Sequence, residues 1–293
     1  MWRILLAAVL WGLLGPVAYV ALREGMAPLE IAFWRAAIAA VLYAAHAVAR
    51  GSWRIARGDV PVVAGFGLVG VSLFYGAYML AVQTGGAALA SVLLYTAPAW
   101  VALLAWLVLR ERPTRRKLAA VAITVVGVAL VALGGGGEVR VGAAAIGWGL
   151  VAGWSYALYY LFGRRYFARY AAPAVFAVAL PVGALGLLPF VSFAPKSAAA
   201  WGAILFVAVV PTYGAYLLYA AGLRRVEATR AATVATVEPV VAALAAWAAF
   251  GERLAPLAAL GGAVVLAGVL LAARATPPRP PAPPPAPRPA SGA

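Results

Sequence analysis

Ten times between residues 3 and 273 the chain runs apolar for about 20 residues, then meets a short polar or arginine-bearing loop. A bilayer hydrocarbon core of about 30 Å is crossed by about 20 helical residues, so each run is long enough to span. The runs lie at about 3–22, 29–49, 60–82, 88–109, 117–133, 141–162, 171–192, 200–222, 228–250 and 255–273. Lipid offers the backbone no hydrogen-bond partner, and none of the runs alternates as a barrel strand would. All ten are therefore expected to be helices. Composition agrees. Charged residues make up 11% of the chain, against about 25% in a typical soluble domain. Hydrophobic residues make up 66% of the 293, and mean hydropathy is +0.95. A water-soluble fold of this size has no core large enough to hide that surface.

The net charge of +15 suggests nucleic acid in a soluble protein. Here its placement gives another reading, with no nucleic-acid partner. Of 23 basic residues, 18 fall at the N-terminus, in alternate loops around residues 50–57, 110–117, 164–169 and 224–230, and in the tail. Four (Arg23, Arg140, Lys196 and Arg253) fall in the other loops, and Arg35 lies inside a span. The positive-inside rule then places both termini in the cytoplasm. It also supports an even number of spans, since one missed span would scramble the alternation. The first run exceeds a signal-peptide core and is expected to stay as a span. There are no cysteines, so disulfides, thiolate metal sites and a cysteine nucleophile are excluded. Residues 277–289 hold nine prolines, and the tail 274–293 is expected to be disordered or polyproline II.

The second half repeats the first at an offset of 141 residues. Tyr75 and Tyr78 map onto Tyr216 and Tyr219, Pro98 onto Pro239, Leu103 onto Leu244, and Trp106 onto Trp247. Glu111 and Arg112 map onto Glu252 and Arg253, and Gly127 onto Gly268. Each copy has five spans. Five is odd, so the second copy enters the membrane from the opposite side, and the matched loops are charged accordingly. The expected fold is an all-α membrane protein of ten transmembrane helices in two inverted five-helix repeats, 1–133 and 141–273. Transporters built this way place the substrate site near the midplane, where the repeats meet.

The stretch 88–130, with Pro98, Glu111-Arg112 and Gly127, resembles the EamA type of the drug/metabolite transporter superfamily. The stretch 228–271 resembles it again. Leu10-Trp11-Gly12 in the first span and Phe33-Trp34-Arg35 in the second are similar to that family as well. The resemblance covers about residues 3–273. It implies a ten-helix exporter of small metabolites, amino acids and their relatives among them, with spans 1, 3, 4, 6, 8 and 9 around the cavity.

Several residues within the spans bear on mechanism. Glu238 sits mid-span before Pro239; a carboxylate at the bilayer centre costs at least about 2.5 kcal/mol unless hydrated or paired. It is expected to couple protons or hold a substrate amine, or else to be a protonated structural carboxyl. Pro98 and Pro239 are expected to kink or gate their helices, or to fix a kink for packing. Thr229, Thr233 and Thr236 form a stripe on span nine, and Thr84, Ser91 and Tyr95 another on span four. Such stripes line a cavity or bond a neighbouring helix. Tyr75, Tyr78, Trp154 and Tyr213 are the aromatic candidates for substrate contact, with interfacial belts as the rival reading. Tyr156, Tyr159 and Tyr160 crowd span six beside Trp154. Arg35 is expected to snorkel or pair with Glu30, with a substrate-carboxylate site as the other reading.

Gly65-Phe66-Gly67-Leu68-Val69-Gly70 fits a dinucleotide fingerprint but lies inside a span, where close helix packing is the use. The glycines at 134–137 lack the lysine and hydroxyl of a P-loop, so ATP drive is disfavoured. Metal constellations and cofactor motifs are absent from the sequence. With no cluster of buried basic residues, phosphorylated substrates are not expected. One histidine and two carboxylates are too few for an intramembrane enzyme. A secondary exporter of amino acids, aromatic ones included, is the first reading. An exporter of cationic drugs on the same fold and a channel are the alternatives. A monomer or homodimer in a bacterial inner membrane is expected.

Overall fold

The computed structural model describes residues 1–111, 114–134, 140–193, 195–250 and 255–274. Arg112, Glu252, Arg253, the glycines at 135–137 and the tail beyond 274 lie outside them. Among the described residues every regular element is helical. The long helices are α1 (Trp2–Arg23), α2 (Pro28–Ala49), α3 (Val60–Gly85), α4 (Leu89–Leu109) and α5 (Arg115–Gly134). They continue as α6 (Ala143–Tyr166), α7 (Ala172–Phe190), α8 (Ala198–Leu223), α9 (Ala228–Ala249) and α10 (Pro256–Arg274). By length and composition nine of these can cross a membrane. The exception is α6, which is long enough at 24 residues but is diluted by glycine, tryptophan and tyrosine.

Several helices are broken, and proline sets where. A proline inside a helix removes the amide that would bond the carbonyl four residues back and crowds that carbonyl. Pro98 accordingly ends one helical segment at Leu94, and a second starts at Ala97. Pro239 does the same at Ala235, with the next segment starting at Glu238. Pro16 breaks α1 after Gly12. Pro211 ends the regular part of α8 at Val207, and a π-helical segment, Ala208–Gly214, follows. The sequence pointed to Pro98 and Pro239 alone; Pro16 and Pro211 act at the same distance. In α7, by contrast, Pro181 interrupts nothing. A second π segment, Leu68–Leu73, lies in α3 without a proline.

The helices sort into an inner ring and two outer pairs. α3 and α4 lie against α6, α1 lies against α8 and α9, and α4 meets the first half of α9. Outside them α2 runs along α7, and α5 along α10. Glycine makes the second outer pair tight. A Cβ at Gly127 would sit 2.6 Å from the backbone nitrogen of Val265, and one at Gly261 would meet the nitrogen of Val131. Small residues that let backbones touch are how helices associate in lipid, where burial of apolar surface offers no gain. Within the G-x-G-x-x-G stretch, a Cβ at Gly67 would run into the carbonyl of Ala179 on α7, so that glycine serves packing.

Candidate functional site

The inner ring encloses a cavity of ≈ 510 Å³. That volume suits a small organic solute. Its wall is mainly aromatic. Trp11 of α1 lies edge-on to Tyr216 of α8, ring centroids 5.5 Å apart. Phe74 of α3 stacks on Tyr156 of α6 at 5.4 Å. Gly12 lets α1 approach this point: a Cβ there would lie 2.8 Å from the carbonyl of Glu238.

Two charged side chains reach the cavity, one from α9 and one from α2. Glu238 opens the second segment of α9, directly after the break. It is partly exposed, and the space it faces is the cavity. Tyr160 donates to the hydroxyl of Tyr156 at 3.3 Å, and Tyr156 donates to the carboxylate at 3.5 Å. Tyr95, at the matching break in α4, also faces the cavity.

Arg35 enters from α2 and is 7% exposed. Its placement starts with Pro211. The carbonyl of Val207 is the acceptor that a proline at 211 leaves without an amide, and the Thr212 hydroxyl donates to it at 2.8 Å. The Thr212 hydroxyl oxygen in turn accepts from Arg35 Nε at 2.8 Å. Arg35 Nη2 donates to the Tyr216 hydroxyl at 3.2 Å, and the guanidinium lies 4.8 Å from the centroid of the Tyr75 ring. Arg35 does not snorkel and does not pair with Glu30. Glu30 is fully buried and pairs with Lys196 at 2.5 Å, and Lys196 sits over the rings of Trp34, Phe193 and Trp201. Lys196 lies on a distant loop, so spacing along the sequence could not reveal that partner.

Of the residues singled out from the sequence, Tyr75, Tyr78, Tyr95, Glu238 and Pro239 line this cavity. Four others do not. Trp154 points outward and is 37% exposed. It lies two residues from Tyr156, roughly 200° away around the helix. Tyr213 falls within the π segment, whose wider turn rotates it toward α2. There its hydroxyl meets His46 Nδ1 at 2.6 Å and its carbonyl accepts from Tyr43 at 2.7 Å. Thr233 donates back to the carbonyl of Thr229, and Thr236 to that of Thr233, so both hydroxyls are spent on backbone. Thr236 lies with Tyr95 and Pro98 in a crevice too narrow for water. Thr84 likewise bonds the carbonyl of Leu80. The residues undervalued in the sequence are Arg35, Trp11, Tyr156, Tyr159 and Tyr216. The repeat carried a signal for the last of these, since it pairs Tyr216 with Tyr75.

The cavity extends toward the sparsely charged loops, through Leu14, Ser91 and Val131. The basic end is tied shut. Lys117 pairs with Glu227 at 2.9 Å. Glu111 accepts from the amide of Ala228 and the hydroxyl of Thr229, at 3.0 and 3.2 Å. Arg164 donates to the carbonyls of Leu223 and Arg224, both at 2.9 Å. Among the described residues no group of His, Cys, Asp and Glu is placed to hold a metal ion.

Broken helices around a solute-sized cavity, in a chain made for lipid, define a multi-pass membrane transporter. Residues 1–133 and 143–274 each match the EamA-like transporter family, and the chain belongs to that family. A probable terminal-alkyne amino-acid exporter of Streptantibioticus cattleyicolor is 28% identical over 284 residues, covering 94% of this chain and 93% of the relative. An uncharacterized transporter of Archaeoglobus fulgidus is 32% identical over 212 residues, covering 71% and 76%. A solved crystal structure superposes with a TM-score of 0.80 at 19% identity, over 92% of this chain and 94% of that one. At that identity the likeness speaks to the fold alone.

Proposed function

We propose that the chain is a secondary exporter of small metabolites, amino acids including aromatic ones, working by alternating access without ATP. One observation carries the reading. The cavity joins a carboxylate and a guanidinium inside an aromatic wall, and its basic end is tied shut. Glu238, Tyr75, Tyr78 and Tyr95 are the substrate contacts in this reading, and the breaks at Pro98 and Pro239 are the gating points. The amino-acid exporter among the relatives supports the substrate class.

We read the architecture as two inverted five-helix halves, 1–133 and 141–273, with ten spans and both termini in the cytoplasm. The helix contacts support this. α2 with α7, α4 with α9 and α5 with α10 pair equivalent helices, and α3 with α6 has its counterpart in α8 with α1. The π segments and the α4 and α9 breaks fall at matched places in the two halves. The setting is a bacterial inner membrane, as a monomer or homodimer. Glu238 amid aromatic rings also favours a second reading, export of cationic compounds.

Counterflow in proteoliposomes tests the proposal. Vesicles are loaded with one unlabelled amino acid at a time and uptake of the labelled form is followed. Saturable, protein-dependent accumulation is the expected result. Uptake that never saturates indicates a channel. Exchange of cationic drugs with no amino acid exchanged indicates the second reading.

A further inference from the structure

Arg35 and Glu238 line one cavity and do not pair with each other. Two hydrogen bonds, to Thr212 and Tyr216, hold the guanidinium in place. They use Nε and Nη2 and leave Nη1 without a protein acceptor among the described residues. No carboxylate pairs with Arg35 among the described residues. A buried charge without a partner is costly, and removing one partner of a buried pair costs several kcal/mol for the same reason. The Glu238 carboxylate takes a long bond from Tyr156 at 3.5 Å, and the Tyr95 hydroxyl also bears on it.

We propose that these two groups form a clamp for a zwitterion, with the substrate carboxylate on Arg35 and its ammonium on Glu238. This rests on the exporter reading of the same cavity. Arginine offers a carboxylate charge-assisted donors in a fixed plane, and here Nη1 is the nitrogen left to supply them. Tyr156 and Tyr95 stand beside the ammonium end, and Tyr75, Phe74 and Trp11 supply apolar surface for a side chain. The chemistry discriminates in both directions. A lone amine leaves Arg35 unpaired, a lone acid leaves Glu238 unpaired, and only a molecule carrying both charges satisfies the two walls together.

The experiment uses the full chain in proteoliposomes loaded with unlabelled phenylalanine, leucine or alanine, with counterflow of the labelled form. For phenylalanine the competitors are phenethylamine, which lacks the carboxylate, and 3-phenylpropionate, which lacks the amine. In the wild type each competitor is expected to inhibit roughly tenfold or more weakly than phenylalanine itself, as for truncation of one side of a charge pair. Arg35→Gln is expected to abolish that gap for phenethylamine and keep it for 3-phenylpropionate, and Glu238→Gln to do the reverse. Competition by both analogues within about threefold of phenylalanine in the wild type overturns the clamp. It leaves the exporter reading standing, because counterflow itself persists. Absence of counterflow with all three amino acids overturns both. The wild-type competition needs no variant to fold, so it decides the matter even if Arg35→Gln is lost to misfolding.

Discussion

Glu238 is the residue whose chemistry is easiest to isolate, because glutamine keeps its shape and removes its charge. With a substrate ammonium as its partner, Glu238→Gln is expected to lower amino-acid counterflow roughly tenfold or more, while the purified protein elutes as the wild type does. An unchanged rate would assign the carboxyl to structure alone. Glu238 was legible in the sequence because a carboxylate inside an apolar run stands out. Arg35 stands out as much, and the sequence left it two readings, a surface or Glu30-paired one and a substrate-carboxylate site. Its distance from the helix end suggested an escape to the surface, whereas Thr212 and Tyr216, some 180 residues away, turn it inward. Trp154 lies outside the cavity for a different reason. A span apolar on every side carries no stripe to mark which face looks inward, so nothing in it showed that Tyr156 rather than Trp154 lines the cavity.

Among the elements, the α5–α10 pair is the firmest. Leucine at Gly127 would drive a side chain into the backbone at Val265, and overpacking of this kind costs about 1–3 kcal/mol. Gly127→Leu is therefore expected to lower the melting temperature of the detergent-solubilised protein by several degrees. Gly147→Ala on α6, where a Cβ meets open space, is expected to leave it unchanged or slightly raised. Equal melting temperatures would show that the pair tolerates separation. The breaks are also features of elements. Helix positions were legible from hydropathy alone, and the proline rule places the breaks at Gly12, Leu94, Ala235 and Val207 four residues upstream. The π segment of α3 has no such marker, and Pro181 shows that tertiary packing can absorb a proline without a break.

In the molecule as a whole, the ties at the basic end hold α4, α5 and α9 together, and the alternating access proposed above requires that they release. The chain contains no cysteine, so a single one reports accessibility directly. A cysteine replacing Ala232, which is 2% exposed, is expected to resist a membrane-impermeant maleimide. Adding Glu227→Gln removes the carboxylate that pairs with Lys117 across this end. A loss of about 1–2 kcal/mol shifts an open population roughly fivefold to thirtyfold, and labelling is expected to rise accordingly. Labelling that stays low in the double variant would place the gate elsewhere.

The balance of one guanidinium and one carboxylate in the cavity has an electrical consequence. With Glu238 ionised the empty site is neutral, and it stays neutral when a zwitterion fills it. Neither half of the cycle then moves net charge through the membrane field, where each charge is worth about 2.3 kcal/mol per 100 mV. Imposing a potassium diffusion potential is expected to leave exchange rates unchanged, and a rate that follows voltage would mean that a charged species moves instead. A carrier of this kind takes its direction from concentration alone and works as an overflow valve: solute leaves when the interior is rich in it, and flow stops when the two sides are equal.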